Sequence, residues 1–120
     1  MESQKQIIWW HKQDDSGRDA FAIEYFDTKE SKNRLFYPDF IVRTKKRVYL
    51  LDPKNDITAK SQETADKSKA LQDWIKKNQS KYDFEIVGGI VIAKYPNWVI
   101  NDKKSYVYEN DKDWDILDLK

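Results

Sequence analysis

The chain has 120 residues, with 22 basic against 21 acidic side chains, a net charge of +1, 36% charged and 39% apolar residues. That length fits one domain over residues 1–120 with a single modest core. Near-neutrality excludes attraction of the whole surface to a polyanion, so nucleic acid must be met by a local patch. The absence of cysteine excludes disulfides, thiolate chemistry and Cys-type zinc sites, and the single histidine, His11, argues against histidine triads and His-rich metal centres.

The amino terminus is polar (Glu2, Gln4, Lys5) and no apolar run approaches membrane-spanning length, so a cytoplasmic protein without a membrane partner is expected. Residues 7–13 read as a strand, followed by a turn at Asp14-Asp15-Ser16-Gly17. Residues 21–26 alternate as a second strand, and residues 27–33 are polar and loop-like. Residues 35–43 and 47–54 read as two further strands.

The period then changes. Residues 58–79 predict a helix with Ala65, Ser68, Leu71 and Ile75 on one stripe, Trp74 beside it, and Asp56 or Thr58 as its cap. Residues 84–93 are nearly continuous in apolar character, as in a buried central strand parallel to the strand before the helix. Residues 105–108 and 114–119 predict a late strand and a docked tail. The order implies an α/β or α+β domain.

The chemistry-bearing stretch is Tyr37-Pro38-Asp39-Phe40 with Leu51-Asp52-Pro53-Lys54. A turn centred on Lys45-Lys46 pairs residues whose numbers sum to 91: Val42 with Tyr49, Ile41 with Leu50, Phe40 with Leu51, all apolar pairs. One step further, Asp39 stands opposite Asp52. Alternation puts Asp52 and Lys54 on one face. Two carboxylates about 4.5–5.5 Å apart at Cβ repel, and a cation or a raised pKa must relieve them. Oxygen donors without His or Cys point to a hard ion, Mg2+ or Mn2+. The same register sets Pro38 opposite Pro53, neither with an N–H to donate, so the strands should fork there. The plainer alternative is two strand-end acids with Lys54 as a surface partner. Their joint occurrence on one hairpin face favours a site.

Pro38-Asp39 with Asp52-x-Lys54 resembles the PD-(D/E)xK nuclease pattern, whose core is a mixed β-sheet flanked by helices. Trp9-Trp10, Asp19-Ala20-Phe21-Ala22-Ile23, the Leu35-to-Val42 block and Lys67-x-Lys69-Ala70-Leu71 further resemble the carboxy-terminal endonuclease region of type III restriction enzyme Res subunits, over residues 7–79. The resemblance implies a restriction-endonuclease-like fold and a magnesium-dependent DNA endonuclease domain excised from a larger helicase–nuclease. Its implied partners are DNA, the helicase/ATPase part and a modification subunit in a bacterial cytoplasm. It implies Asp39 and Asp52 as metal ligands, with the Pro53 carbonyl as a further one. Lys54 would orient water or stabilise charge on the scissile phosphate. Lys67 matches a helix position facing the site.

Pro53 departs from the small or β-branched residue usual there. Glu24 is either a supplementary ligand or a strand-surface charge. Lys45, Lys46 and Arg47 form a basic turn, either a phosphate contact or a solvated tip. Trp9, Trp10 and Trp74 are expected in the core rather than stacked on bases. Gly88-Gly89 reads as close packing, and the acids Asp111, Asp113, Asp115 and Asp118 as a solvated face. Two rivals to the nuclease stay open: a DNA-binding module with the same fold and no chemistry, and a docking domain of a larger ATP-driven enzyme.

Overall fold

The computed structural model describes residues 7–13 and 20–119, so the turn expected at 14–17 lies outside the described residues. The order is β1 (Ile7–Lys12), β2 (Ile23–Asp27), β3 (Lys32–Phe36), β4 (Phe40–Thr44), β5 (Arg47–Pro53), α1 (Asp56–Ala59), α2 (Gln62–Asn78), β6 (Glu85–Lys94), β7 (Asn97–Asn101) and β8 (Asp115–Ile116). Among the described residues a mixed six-stranded sheet runs β1-β4-β5-β6-β7-β8, and β2-β3 form a separate two-stranded sheet. The domain is α+β. No helix among the described residues is long and apolar enough to cross a membrane.

The apolar pairs of β4 and β5 set the register that the Lys45-Lys46 turn predicts: Phe40 with Leu51, Ile41 with Leu50, Val42 with Tyr49. The helical connection brings β6 back parallel to β5, pairing Asp52 with Ile90 and Pro53 with Val91. Even-numbered β5 residues face α2, where Leu50 packs with Ile23, Tyr25, Phe36, Leu71 and Ile86. The opposite face buries Val42, Tyr49, Leu51, Val91 and Ile100 under the chain end at Leu117 and Leu119, with the Tyr49 hydroxyl donating to the Asp118 carbonyl at 3.2 Å. The expected docked tail is thus present.

Several expectations are corrected. Residues 35–43 are two strands in different sheets, because Tyr37-Pro38-Asp39 interrupts the ladder: Pro38 has no N–H and restricts the residue before it. The polar stretch 27–33 is a turn over residues 28–31 as expected, but Asp27, Lys32 and Asn33 at its ends belong to β2 and β3. Asp27 Oδ1 holds the turn by accepting from the N–H groups of Lys29 and Glu30 at 3.0 Å each. The single expected helix is two. Asn55 caps α1 through the Thr58 N–H and Ser61 caps α2 through the Thr64 N–H, in place of Asp56 or Thr58. The buried positions of α2 include Thr64, Ser68 and Leu71, and Ala65 is only half-buried. The late strand is β7 rather than residues 105–108, reached from β6 through Tyr95-Pro96.

Trp74 packs edge-on against Phe21 with ring centroids 4.9 Å apart. Trp9 and Trp10 do not enter the core: they are 49% and 39% exposed on the edge strand β1, where one face of the strand meets solvent. His11 is exposed. Gly88 and Gly89 are close-packing positions as expected: a Cβ at Gly89 would run into the Asn101 carbonyl, and one at Gly88 into Ile75 Cδ1 at 2.9 Å and the Leu50 carbonyl at 3.0 Å.

Candidate active site

The β4–β5 ladder stops at Phe40 and Leu51 while each strand goes on with a different neighbour. On one side the Asp39 carbonyl accepts from the Gln13 N–H at 2.7 Å, and the Gln13 side chain donates to the Pro38 carbonyl at 2.6 Å. On the other side β5 continues against β6, with the Lys54 N–H donating to the Val91 carbonyl at 2.9 Å. Alternation along β5 then turns the Pro53 carbonyl away from β6 and toward β4. The fork expected from the two prolines is therefore present, and Asp39 and Asp52 border it.

Asp39, Asp52, Lys54 and Lys67 line one cleft of about 710 Å³, together with Gln13, Tyr25, Arg34, Phe36 and Glu63. Asp52 is buried, 1% exposed, and Lys54 Nζ lies 3.0 Å from its Oδ2. Lys54 is the partner of this buried oxygen, in an ion pair whose geometry departs from the ideal line of a hydrogen bond. Burial pushes the Asp52 carboxyl above the ordinary carboxylate range, opposed by Lys54; the Asp39 charge raises it further, and Lys67 opposes that. The Asp39 carboxylate takes no hydrogen bond or ion pair among the described residues.

The wall opposite the fork is built by α2 and the β2–β3 sheet. Lys67 Nζ pairs with Glu63 Oε1 at 3.2 Å and lies 5.8 and 5.7 Å from the ring centroids of Tyr25 and Phe36. The Tyr25 hydroxyl donates to Glu63 at 3.5 Å, and burial, then the Glu63 charge, raise its pKa. The hairpin is seated on α2 by buried Asp66, which accepts from the Thr28 N–H and hydroxyl at 2.9 Å each. Reading the sequence missed Glu63, Tyr25, Arg34 and Gln13. The Glu63–Lys67 spacing of four on one helix was the available signal for Glu63. Arg34 carried none, because it falls between the stretch read as loop (27–33) and the one read as strand (35–43).

Two candidate groups lie elsewhere. Glu24 faces outward from β2, exposed, and borders a different hollow with Phe26 and Lys69. It is a strand-surface charge rather than a ligand of this site. Lys45, Lys46 and Arg47 sit at the far end of the hairpin, roughly 17 Å away at about 3.4 Å per residue, and Arg47 pairs with Glu85.

The donors suit a hard divalent cation. Asp39 and Asp52 offer carboxylate oxygens to the cleft, and the Pro53 carbonyl, which lies on the β4 side of β5, is not part of its lining. No group of three or more His, Cys, Asp or Glu side chains is placed to hold a metal among the described residues. In comparisons with known proteins, no curated protein and no solved structure matches the chain. A family model, that of the YagJ family, matches residues 1–112.

Proposed function

The chain belongs to the YagJ family, and from its forked carboxylate pair we propose that it is a Mg2+- or Mn2+-dependent DNA endonuclease domain of the PD-(D/E)xK kind. The observation that carries this reading is the buried Asp52 carboxylate, in one cleft with Asp39 and with Lys54 Nζ 3.0 Å from its Oδ2. A carboxylate kept in so costly a place is the signature of a functional site. The Pro38-Asp39…Asp52-x-Lys54 resemblance supports it, and with it a restriction-endonuclease-like fold, a bacterial cytoplasmic setting, and a helicase/ATPase part and modification subunit as partners.

Asp39 and Asp52 would hold the ion, which supplies Lewis acidity toward a phosphate oxygen and favours deprotonation of water at neutral pH. Lys54 donates toward the attacking water or a non-bridging phosphate oxygen, where negative charge grows. The water oxygen forms a bond to phosphorus, the opposite P–O bond breaks, and the departing oxygen takes a proton.

The second reading is a DNA-binding module without cleavage. It is favoured by the absence of a third free metal-binding side chain among the described residues and by the hold of Lys54 on Asp52. Nicking of supercoiled plasmid in Mg2+ decides between them. Wild type is expected to nick, and Asp52→Ala and Lys54→Ala are expected to lose at least a hundredfold, on the order of one oxyanion-type donor. Equal nicking by all three sinks the site assignment. DNA retention without nicking favours the binding module.

A further inference from the structure

Four side-chain cations line the cleft: Lys12, exposed at the end of β1, and Lys54, Lys67 and Arg34, which differ in how they are paired. Lys54 is matched by Asp52 at 3.0 Å and Lys67 by Glu63 at 3.2 Å, so both charges are cancelled by carboxylates that line the cleft themselves. Arg34 differs. Its partner is Asp27, whose Oδ2 accepts from Arg34 Nη1 at 3.1 Å, and Asp27 is not a lining residue.

Asp27 is itself immobilised. Its side chain is 5% exposed, its other oxygen holds two backbone N–H groups of the β2–β3 turn, and that turn is pinned to α2 through Thr28 and Asp66. The Glu30 and Lys29 N–H groups and Arg34 keep the Asp27 carboxyl below the ordinary carboxylate range. Arg34 pairs across the small sheet with Tyr25, so it shares the inward face of the buried Tyr25. One of its five N–H donors is used by Asp27, and its side chain is 47% exposed. The result is a guanidinium held through Nη1 by Asp27 and bordering the cleft that the carboxylate pair also lines.

A fork of donors with fixed orientation matches the paired oxygens of a phosphate. We propose, resting on the nuclease reading above, that Arg34 is a substrate-positioning residue that binds a phosphate neighbouring the scissile one. The site would thereby prefer a polynucleotide to an isolated phosphodiester. The near-neutral whole chain calls for local anchors on this face, and Arg34 and the exposed Lys12 are the lining cations not paired with a carboxylate of the cleft itself.

The test compares wild type, Arg34→Gln and Arg34→Lys, each checked for an unchanged melting profile. The first readout is anisotropy of a fluorescein-labelled duplex oligonucleotide in Ca2+ over a salt series. Arg34→Gln is expected to weaken binding about tenfold and to reduce the slope of log K against log salt by about 0.9, while Arg34→Lys keeps the slope. The second readout is turnover in Mn2+ of the same oligonucleotide and of bis(p-nitrophenyl) phosphate, which has no neighbouring phosphate. The loss in Arg34→Gln should be about tenfold larger on the oligonucleotide.

A wild-type slope in Arg34→Gln, equal losses on both substrates, or no oligonucleotide binding by wild type overturns the proposal. If wild type turns over neither substrate, the nuclease reading falls, and the slope in Ca2+ still decides the role of Arg34.

Discussion

Lys54 Nζ stands 3.0 Å from Asp52 Oδ2, yet the attraction does not offset the burial of that carboxylate, whose pKa is raised by desolvation. A folded-state pKa above the unfolded value, about 3.9 for Asp, means that the protonated acid is the form the fold prefers. The stability associated with Asp52 is fully present below the unfolded pKa and is lost as pH rises through the folded one. Asp52→Asn should therefore be more stable than wild type at pH 7.5, with the advantage shrinking as pH falls toward 4. Urea unfolding at several pH values measures it; a variant less stable than wild type at neutral pH contradicts the balance described here.

Divalent cations should relieve the same repulsion. Mg2+ or Mn2+ at about a hundred times its Kd stabilises a binding-competent fold by about 2.7 kcal/mol, a rise of several degrees in Tm for a domain of this size. Asp39→Ala and Asp52→Ala should abolish the rise. Glu24→Ala should keep it, because Glu24 faces outward. A titration in which all four proteins respond alike would place the metal elsewhere.

Gln13 holds the fork open. Its Nε2 donates to the carbonyls of Phe21 and Pro38 at 3.1 and 2.6 Å, and its Oε1 accepts from the Phe21 N–H at 2.6 Å. Gln13→Ala leaves these backbone groups without partners, at about 1–3 kcal/mol for each one that water cannot reach. Loss of metal response at temperatures where circular dichroism still reports a folded chain would show that Asp39 has lost its position. Unchanged stability and metal response would show that the bridge is dispensable.

Gly89→Ala should destabilise by about 1–3 kcal/mol or more, since its Cβ meets the Asn101 backbone, which belongs to the paired strand β7 and cannot rotate away. Gly88→Ala should cost less, because its nearest neighbour is the end of the Ile75 side chain. Chemical denaturation of both variants gives the order, and the reverse order would refute the packing argument.

The hairpin register was legible in the residues themselves. A two-residue turn at Lys45-Lys46 leaves one arrangement that pairs Val42 with Tyr49, Ile41 with Leu50 and Phe40 with Leu51, and any slip by one would turn Asp52 into the apolar layer of the other face. The buried β6 was equally plain, because ten residues with so little polarity suit only an interior strand. Pro38 was read correctly as the end of pairing with β5 and incorrectly as lying within one long strand. The apolar residues on both sides of it, Leu35-Phe36 and Phe40-Ile41, have the same composition whether or not the chain turns between them.

The acid pair and its lysine follow from neighbours within a few residues along two strands, and such short-range constraints are written in alternation and turn length. The rest of the cleft does not. Arg34, Tyr25 and Glu63 reach it only because the β2–β3 hairpin is seated on α2 by Thr28 and Asp66, 38 residues apart, and because Gln13 ties the fork to Pro38 across 25 residues. Hydrogen bonds between such distant positions leave no periodic trace in the chain, so only the packed fold decides which charges oppose the carboxylates and which face solvent.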